Sequence, residues 1–457
     1  MTSTSRRLAL ADVFADGRLA VMLMLGYAAG LPILLVFGTL SAWLRESGVP
    51  VTAIGLFSWL ALAYSFKFVW SPVVDAFDVP VLSRLFGRRR AWMLLAQAVV
   101  VVGLAGVGLS DPGQNLAVTA VFAFLIAFGS ATQDVVIDGW RIDAAPTSRQ
   151  GLMAAAYQLG YRLALICAGA GALYVAEFVS WRAAYFSMAG LMGVGFLATL
   201  LAPAVDRAPV KGAPGAAQKG FNIADAIVAP LADLYSRKGA VGLALILSLV
   251  ALYRLPDFVA GVMANPLYID LGFSKVDIAN VSKLYGVWIG MIGAFAGGLL
   301  MPRLGLRTTL LIGAAAGAGS NLMFSWLALA GKDLQLLILA ISVDNFAGSF
   351  AGTALIAYMS GLTGPGFAAT QYALLSSLYA LPGKLVGGLS GFMVQAYGYP
   401  TFFALTASVG VPVVLLCLAL GRSIEEESED VAPAAAAVTP MVPEERATAV
   451  QQASAAG

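Results

Sequence analysis

Histidine is absent from this 457-residue chain, and only two cysteines occur. Without histidine, the commonest general base and metal ligand is missing, so any proton chemistry falls to Asp, Glu, Lys or Tyr. Cys167 and Cys417 both sit in apolar runs and read as small core residues. Charge is scarce as well. Only 11% of residues are charged and 60% are hydrophobic, against about 25% charged in ordinary soluble domains. So few charges cannot cover a soluble globule. A soluble enzyme, a nucleic-acid binder and a secreted disulfide scaffold are thereby excluded. No metal-ligand cluster, nucleophile–base pair or nucleotide loop is visible, so neither an enzyme nor a cofactor is expected. A net charge of +2 says nothing about polyanionic partners.

What the chain has is long apolar runs. Hydropathy and turn signals give twelve candidate spans, near 19–44, 52–75, 91–109, 115–140, 150–176, 182–202, 240–269, 276–301, 307–330, 334–361, 367–396 and 400–421. The first is too long for a signal-peptide core and reads as a retained membrane helix. Residues 1–202 and 240–421 then form two six-helix halves. Between them, 203–239 is richer in Pro, Gly, Ala and charge and reads as a linker carrying a short amphipathic helix in 221–236. The tail, 422–457, is acidic and then Ala/Pro/Gln-rich, the composition of a solvated disordered segment.

Lys and Arg are distributed unevenly between alternate loops. One set holds Arg6, Arg7, Arg18, Arg84, Arg88, Arg89, Arg90, Arg141, Arg149, Arg207, Lys211, Lys219, Arg237, Lys238, Arg303, Arg307, Arg422 and Arg446; the other holds only Arg45, Arg182, Lys275 and Lys332. The positive-inside bias puts both termini and the linker in the cytoplasm.

Leaving aside charges at span ends, namely Asp75, Arg182, Asp277 and Arg307, nine charges fall inside spans: Lys67, Arg162, Arg254, Lys283, Lys384, Asp134, Asp138, Asp257 and Asp344. An intramembrane charge costs a few kcal/mol or more, so it faces the bundle interior or a wet cavity. The nine occupy spans 2, 4, 5, 7, 8, 10 and 11 and avoid 3, 6, 9 and 12. A bundle whose every third helix faces lipid explains that pattern. The fold expected is an all-α membrane protein, twelve transmembrane helices in the major facilitator arrangement. A weak repeat agrees: Gly48–Ser58 enters span 2 as Gly272–Ser282 enters span 8.

Two motifs carry chemistry. Trp70-Ser-Pro-Val-Val-Asp75 and Phe86-Gly-Arg-Arg-Arg90 flank the loop between spans 2 and 3. Asp75 with Arg88, Arg89 and Arg90 can form charge-assisted bonds that latch a gate, or the arginines can simply mark a positive-inside loop. Ser130-Ala-Thr-Gln-Asp-Val-Val-Ile-Asp138 places Asp134 and Asp138 on one helix face. Two close carboxylates in a dry site suit reversible proton binding. Lys67 lies at a comparable depth and is a candidate partner. A static buried ion pair is the plainer alternative.

With Gly26-Tyr-Ala-Ala-Gly-Leu-Pro32, Gly38-Thr-Leu-Ser-Ala-Trp43, Phe66-Lys-Phe-Val-Trp-Ser-Pro72 and Leu159-Gly-Tyr-Arg-Leu163, these strings resemble the AmpG-type muropeptide permeases. The resemblance covers most of residues 18–205; in the second half it rests on Leu255-Pro-Asp-Phe258 and Leu381-Pro-Gly-Lys384. The spacer between Asp75 and Gly87 is longer than the signature loop's. The resemblance implies a monomeric inner-membrane permease that imports anhydro-muropeptides with protons during peptidoglycan recycling. Its partners would be that small-molecule substrate, protons and the lipid bilayer, with no nucleic acid and no cofactor. Arg162, Arg254 and Lys384 can meet substrate carboxylates. Gln133, Gln158, Asn345 and Gln371 can bond sugar hydroxyls or peptide groups, and Tyr161 can stack on a sugar face. Lys67, Asp257 and Asp344 complete the candidate substrate site. Arg254 can equally pair with Asp257, and Lys384 with Asp344. Rival readings are a carrier of another large anion, such as an acyl-coenzyme A or a peptide, and a non-transporting membrane assembly factor of the same fold.

Overall fold

The computed structural model describes residues 17–144, 150–204, 223–363 and 368–421, and these are almost wholly helical. Most of the linker, the acidic tail, Arg6, Arg7, Arg149, Arg207, Lys211, Lys219, Arg422 and Arg446 lie outside the described residues.

The first span is Gly17–Val36 continued by Gly38–Glu46. The second is broken: Val51–Phe57, then short helical pieces with tight 3₁₀ turns at Ser58–Ala61 and Lys67–Val69, then Ser71–Ala76. Arg88–Leu109 and Leu116–Ala144 are the third and fourth. The fifth runs from Gln150–Ile166 through a π-helical turn, Cys167–Gly171, into Ala172–Phe178, and Trp181–Leu201 forms the sixth. The helix Ile223–Tyr253 turns sharply at Gly239, whose φ is 69°, and Leu255–Asp270 completes the seventh span. The eighth holds a second π-helical stretch, Ala279–Tyr285, ahead of Gly286–Leu304. Leu306–Ala330 and Leu334–Gly361 are the ninth and tenth. The eleventh begins as Ala368–Gly387, and Gly398, at φ 75°, separates it from the twelfth, which ends with Gly410–Ala419.

Among the described residues, ten helical stretches are long and apolar enough to cross a bilayer. The second span falls short because its 3₁₀ turns break it into pieces. Ala368–Gly387 does not qualify because Gln371, Lys384 and Pro382 dilute its apolar face. Both interruptions fall where the two halves meet. The large apolar side chains left exposed, such as Val102, Phe124, Phe295 and Leu329, are what lipid requires.

The duplication is written in the backbone. Gly48 and Gly272 share a left-handed φ, 80° and 81°, in the turns that open the second and eighth spans. Gly87 and Gly305 match as well, at φ 83° and 78°, each opening the next span. Only glycine adopts these conformations without strain.

Packing divides unequally between the two ends. At the end carrying Arg45 and Lys275, one apolar core runs through both halves, joining Leu31, Trp43 and Tyr185 to Tyr268, Phe273 and Phe402. At the Arg88 and Arg307 end there are two separate cores. One holds Met22, Met93, Ile137 and Trp140, all from the first half; the other holds Leu249, Leu310, Tyr358 and Val413, all from the second. The halves touch where the first span meets the seventh, the second the eleventh and the fifth the eighth. They are therefore joined at one end and parted at the other.

Candidate functional site

The parted end and the joined end converge on a polar region at mid-depth. Its first component stands on the fourth span. Gln133 is fully buried, and neither of its amide atoms has a partner among the described residues. One oxygen of Asp134 is likewise buried without a hydrogen bond. Buried polar groups are nearly always satisfied, so such a cluster marks a place built to receive water or a ligand. Lys67, in the 3₁₀ turn of the second span, is within electrostatic reach of Asp134 and of Lys384 in the eleventh. Tyr64, Tyr157 and Tyr161 surround the same carboxylate, with the Tyr157 and Tyr161 rings 6.0 Å apart.

The two aspartates read as a pair do share a face, but their settings differ. Asp134 is enclosed; the Asp138 side chain is half-exposed and lies 3.5 Å from Arg141, three residues on. Gln158 and Arg162 are exposed on the fifth span.

A second component is an apolar chamber of about 330 Å³ between the halves. Phe37, Ile54, Phe57 and Phe258 line it, with Lys384 and Asp257 as its charged members. Lys384 donates to Ser65 Oγ at 2.7 Å, and this bond crosses from one half to the other. Of the two pairings left open by the sequence, Lys384 with Asp344 is not made; Asp344 instead accepts from Ser320 at 3.2 Å. The other, Arg254 with Asp257, is made at 3.1 Å, and Arg254 also donates to the Gly348 carbonyl.

The third component is a polar chamber of about 350 Å³ at the seam, walled mostly by the second half through Arg254, Asp257, Tyr268, Lys283, Asp344 and Asn345, with Leu34 and Leu165 of the first half on its other side. Asp257 and Gly261 line both chambers, so the two adjoin. Asn345 uses its amide to bond the Ile341 carbonyl at 3.0 Å. Gln371 stands apart from this region. It is buried at the far end of the eleventh span, where it donates to Asp233 at 2.8 Å and receives Arg237 at 3.3 Å, tying the helix before Gly239 to that span.

The side chain of Asp75 lies outside the described residues; Arg88 pairs with Asp78 of the long spacer at 2.8 Å. The Arg89 guanidinium lies over Gly139, where a Cβ would come within 2.6 Å of it. Arg90 donates to the carbonyls of Phe86 and Ala202, at 2.7 and 3.4 Å. These partners all belong to the first half.

At the joined end the sequence had not singled out a network that the fold assembles. Asp270 takes Arg45 on one oxygen and the Tyr399 hydroxyl on the other. Lys275 bonds Glu46 and Glu177, at 2.7 and 3.3 Å, and Trp181 donates to Glu46 at 2.6 Å. Tyr174 meets Asn280. Every one of these residues was readable only as a loop or helix-end polar group; sequence distances of about a hundred residues or more hid the pairing.

The Major Facilitator Superfamily profile matches residues 19–386. The anhydromuropeptide permease of Escherichia coli K12 is 37% identical over 416 residues, which cover 90% of this chain and 82% of that one. The chain belongs to the AmpG family of major facilitator permeases. A Rickettsia felis member, named putative transporter AmpG 4, is 33% identical over 91% of this chain and 99% of its own. Solved structures agree in fold. A POT family transporter in complex with 5-aminolevulinic acid superposes with a TM-score of 0.65 at 13% identity, covering 89% of this chain and 96% of that one. The inward-open xylose transporter XylE from E. coli gives 0.59 at 14% identity, covering 89% and 95%. As a member of this family the chain is a multi-pass membrane transporter, not an enzyme.

Proposed function

We propose that this protein is an inner-membrane permease that imports anhydro-muropeptides by proton symport and alternating access. The observation that carries the proposal is the adjoining pair of chambers, polar and apolar, set between halves that share a core at one end and part at the other. A disaccharide-peptide presents charged, hydroxylated and apolar faces together, and this region offers groups for each. The cargo itself is taken from the name of the 37%-identical relative.

By the distribution of Lys and Arg, the parted end faces the cytoplasm, as do both termini. The arrangement is then inward-facing, with the Arg45–Asp270 and Lys275–Glu46 contacts closing the periplasmic side. In the cycle, a proton from the periplasm neutralises Asp134, and the cargo's anionic groups settle among Lys67, Arg162, Arg254 and Lys384. Gln133, Gln158 and Asn345 serve hydroxyl and amide groups, and Tyr161 a sugar face. Asp138, beside Arg141, completes the proton route, while Asp257 and Asp344 set the charge of the second chamber. The halves rock, the Asp75–Arg90 loop and its arginines Arg88 and Arg89 trade partners, and cargo and proton leave inside. Each charge entering with the membrane potential contributes about 2.3 kcal/mol per 100 mV. The carrier works as a monomer, since each copy holds both halves of the path.

Uptake of radiolabelled anhydro-muropeptide in a permease-deficient strain tests this. Expression of the chain should restore accumulation that a protonophore abolishes. Restored uptake of an acyl-coenzyme A or free peptide, without muropeptide uptake, would assign a different cargo.

A further inference from the structure

The polar chamber at the seam contains one charge that no described residue answers. Four ionisable side chains that carry charge line it: Arg254, Asp257, Lys283 and Asp344. Arg254 is engaged by Asp257 and Gly348, and Asp344 by Ser320. Lys283 has no hydrogen-bond or ion-pair partner among the described residues. Cations removed from bulk water are normally paired, because lost hydration is costly. A fold that holds an unpaired one in a cavity supplies a site for an anion.

The placement is specific. Lys283 lies within the π-helical stretch Ala279–Tyr285, which packs across the seam against the other π-helical turn, Cys167–Gly171. Such turns recur at functional sites because the extra residue re-aims the side chains around it. Two glycines give the lysine its room. A Cβ on Gly169 would come within 3.2 Å of the Lys283 Cγ, and one on Gly38 within 3.7 Å of its Nζ. The stem is thus held between the first and fifth spans of the opposite half, and the ammonium is delivered where the halves meet. Lys384, which lines the adjoining apolar chamber, differs in being bonded to Ser65.

We infer that Lys283 is an anion-docking residue that pairs with a carboxylate of the cargo and selects acidic over neutral forms. This rests on the muropeptide reading given above. In the intact cargo the carboxylate is the peptide arm's, because the sugar acid is tied up in the amide bond to the peptide; in the peptide-free disaccharide it is the sugar's, and the chemistry of the pairing is the same for both.

The test is equilibrium binding to the purified full chain. The probes are a disaccharide-peptide with free carboxylates, the same compound with its peptide carboxylates converted to amides, and the peptide-free disaccharide acid. Wild type should prefer the acid to the amide by about tenfold, an ordinary return for one ion pair. In Lys283→Met that preference should fall to near unity, with affinity for the amide unchanged, while Lys283→Arg keeps most of it. The thermal midpoint of Lys283→Met should not fall, because an unpaired charge has been removed. If the peptide-free acid loses affinity in Lys283→Met while the acid–amide preference persists, the carboxylate is the sugar's. Preservation of wild-type affinity for all three compounds in Lys283→Met overturns the assignment, as does equal weakening for all three with a lowered midpoint. A wild type that binds acid and amide equally, and whose hold on the peptide-free acid is unmoved in Lys283→Met, overturns it too and leaves the muropeptide reading intact. A wild type that binds none of the three overturns both.

Discussion

The Lys275 ammonium, at the start of the eighth span, meets the Glu46 carboxylate at the end of the first at 2.7 Å, joining the two halves of the transporter. The same ammonium lies 3.3 Å from Glu177 and 5.6 Å above the Trp181 ring. Exposed ion pairs contribute about 0.2–1 kcal/mol each, but here three contacts depend on one side chain. Lys275→Ala should therefore shift the population toward an outward-open state by several-fold, since each 1.4 kcal/mol is about tenfold. Maleimide labelling from outside the cell, at Ile54→Cys in a background lacking Cys167 and Cys417, reads the shift. Unchanged labelling would remove these contacts from the gate.

Within the first half, the first and fifth spans pack through glycines. A Cβ on Gly160 would lie 1.9 Å from the Leu23 carbonyl oxygen, and one on Gly26 2.2 Å from that of Tyr157. Both obstacles are backbone and cannot swing aside. Gly160→Ala should cost about 1–3 kcal/mol or more through overpacking and visibly lower the thermal midpoint. Gly190→Ala, with open space at its Cβ, should leave it unchanged. Equal midpoints for the two variants would contradict the packing argument.

What the sequence revealed of this architecture, and what it concealed, follows from the range of each signal. Apolar runs and glycine turns are local, so the spans, the paired turns at Gly48 and Gly272 and the shared face of Asp134 and Asp138 could all be read directly. Intramembrane charge was equally visible, and it put Lys283 among the buried cations. Its lack of a partner was invisible, because that depends on where Arg254, Asp257 and Asp344 point in three dimensions. The 3₁₀ turn at Lys67 and the π-helical stretches were also hidden. These distortions arise where the two halves press together, and no periodicity within one helix encodes that contact. Gln371, an amide inside an apolar run, looked suited to substrate; tertiary packing gave it Asp233 and Arg237.

In the proposed proton-coupled cycle Asp134 carries the proton, with one oxygen unbonded and Lys67 in electrostatic reach. Asp134→Asn keeps the shape and removes the titration. The variant should bind cargo and exchange it across proteoliposomes, yet fail to accumulate it against a gradient. Asp138→Asn should weaken accumulation less, because its side chain is half-exposed and already faces Arg141. Undiminished accumulation by the Asp134 variant would take it out of the coupling route.

A close backbone contact between the halves is made by glycines of the second and eleventh spans. A Cβ on Gly391 would lie 2.0 Å from the Val51 carbonyl oxygen, and one on Gly55 2.8 Å from the Gly391 nitrogen. This contact differs from the Gly160 seam in one respect that matters: it crosses from half to half. An added methyl at position 160 strains a half that must stay packed in every state, whereas one at 391 strains only the state in which this end is closed. Gly391→Ala should therefore fold with a near-normal midpoint but be unable to close its outer side. At about 1–3 kcal/mol of overpacking, the closed population falls by roughly five- to 150-fold. Uptake should drop accordingly, and external labelling at Ile54→Cys should rise further than in Lys275→Ala, because steric exclusion acts where loss of an ion pair only loosens. Normal uptake by Gly391→Ala would show that the transport cycle does not pass through this closed contact.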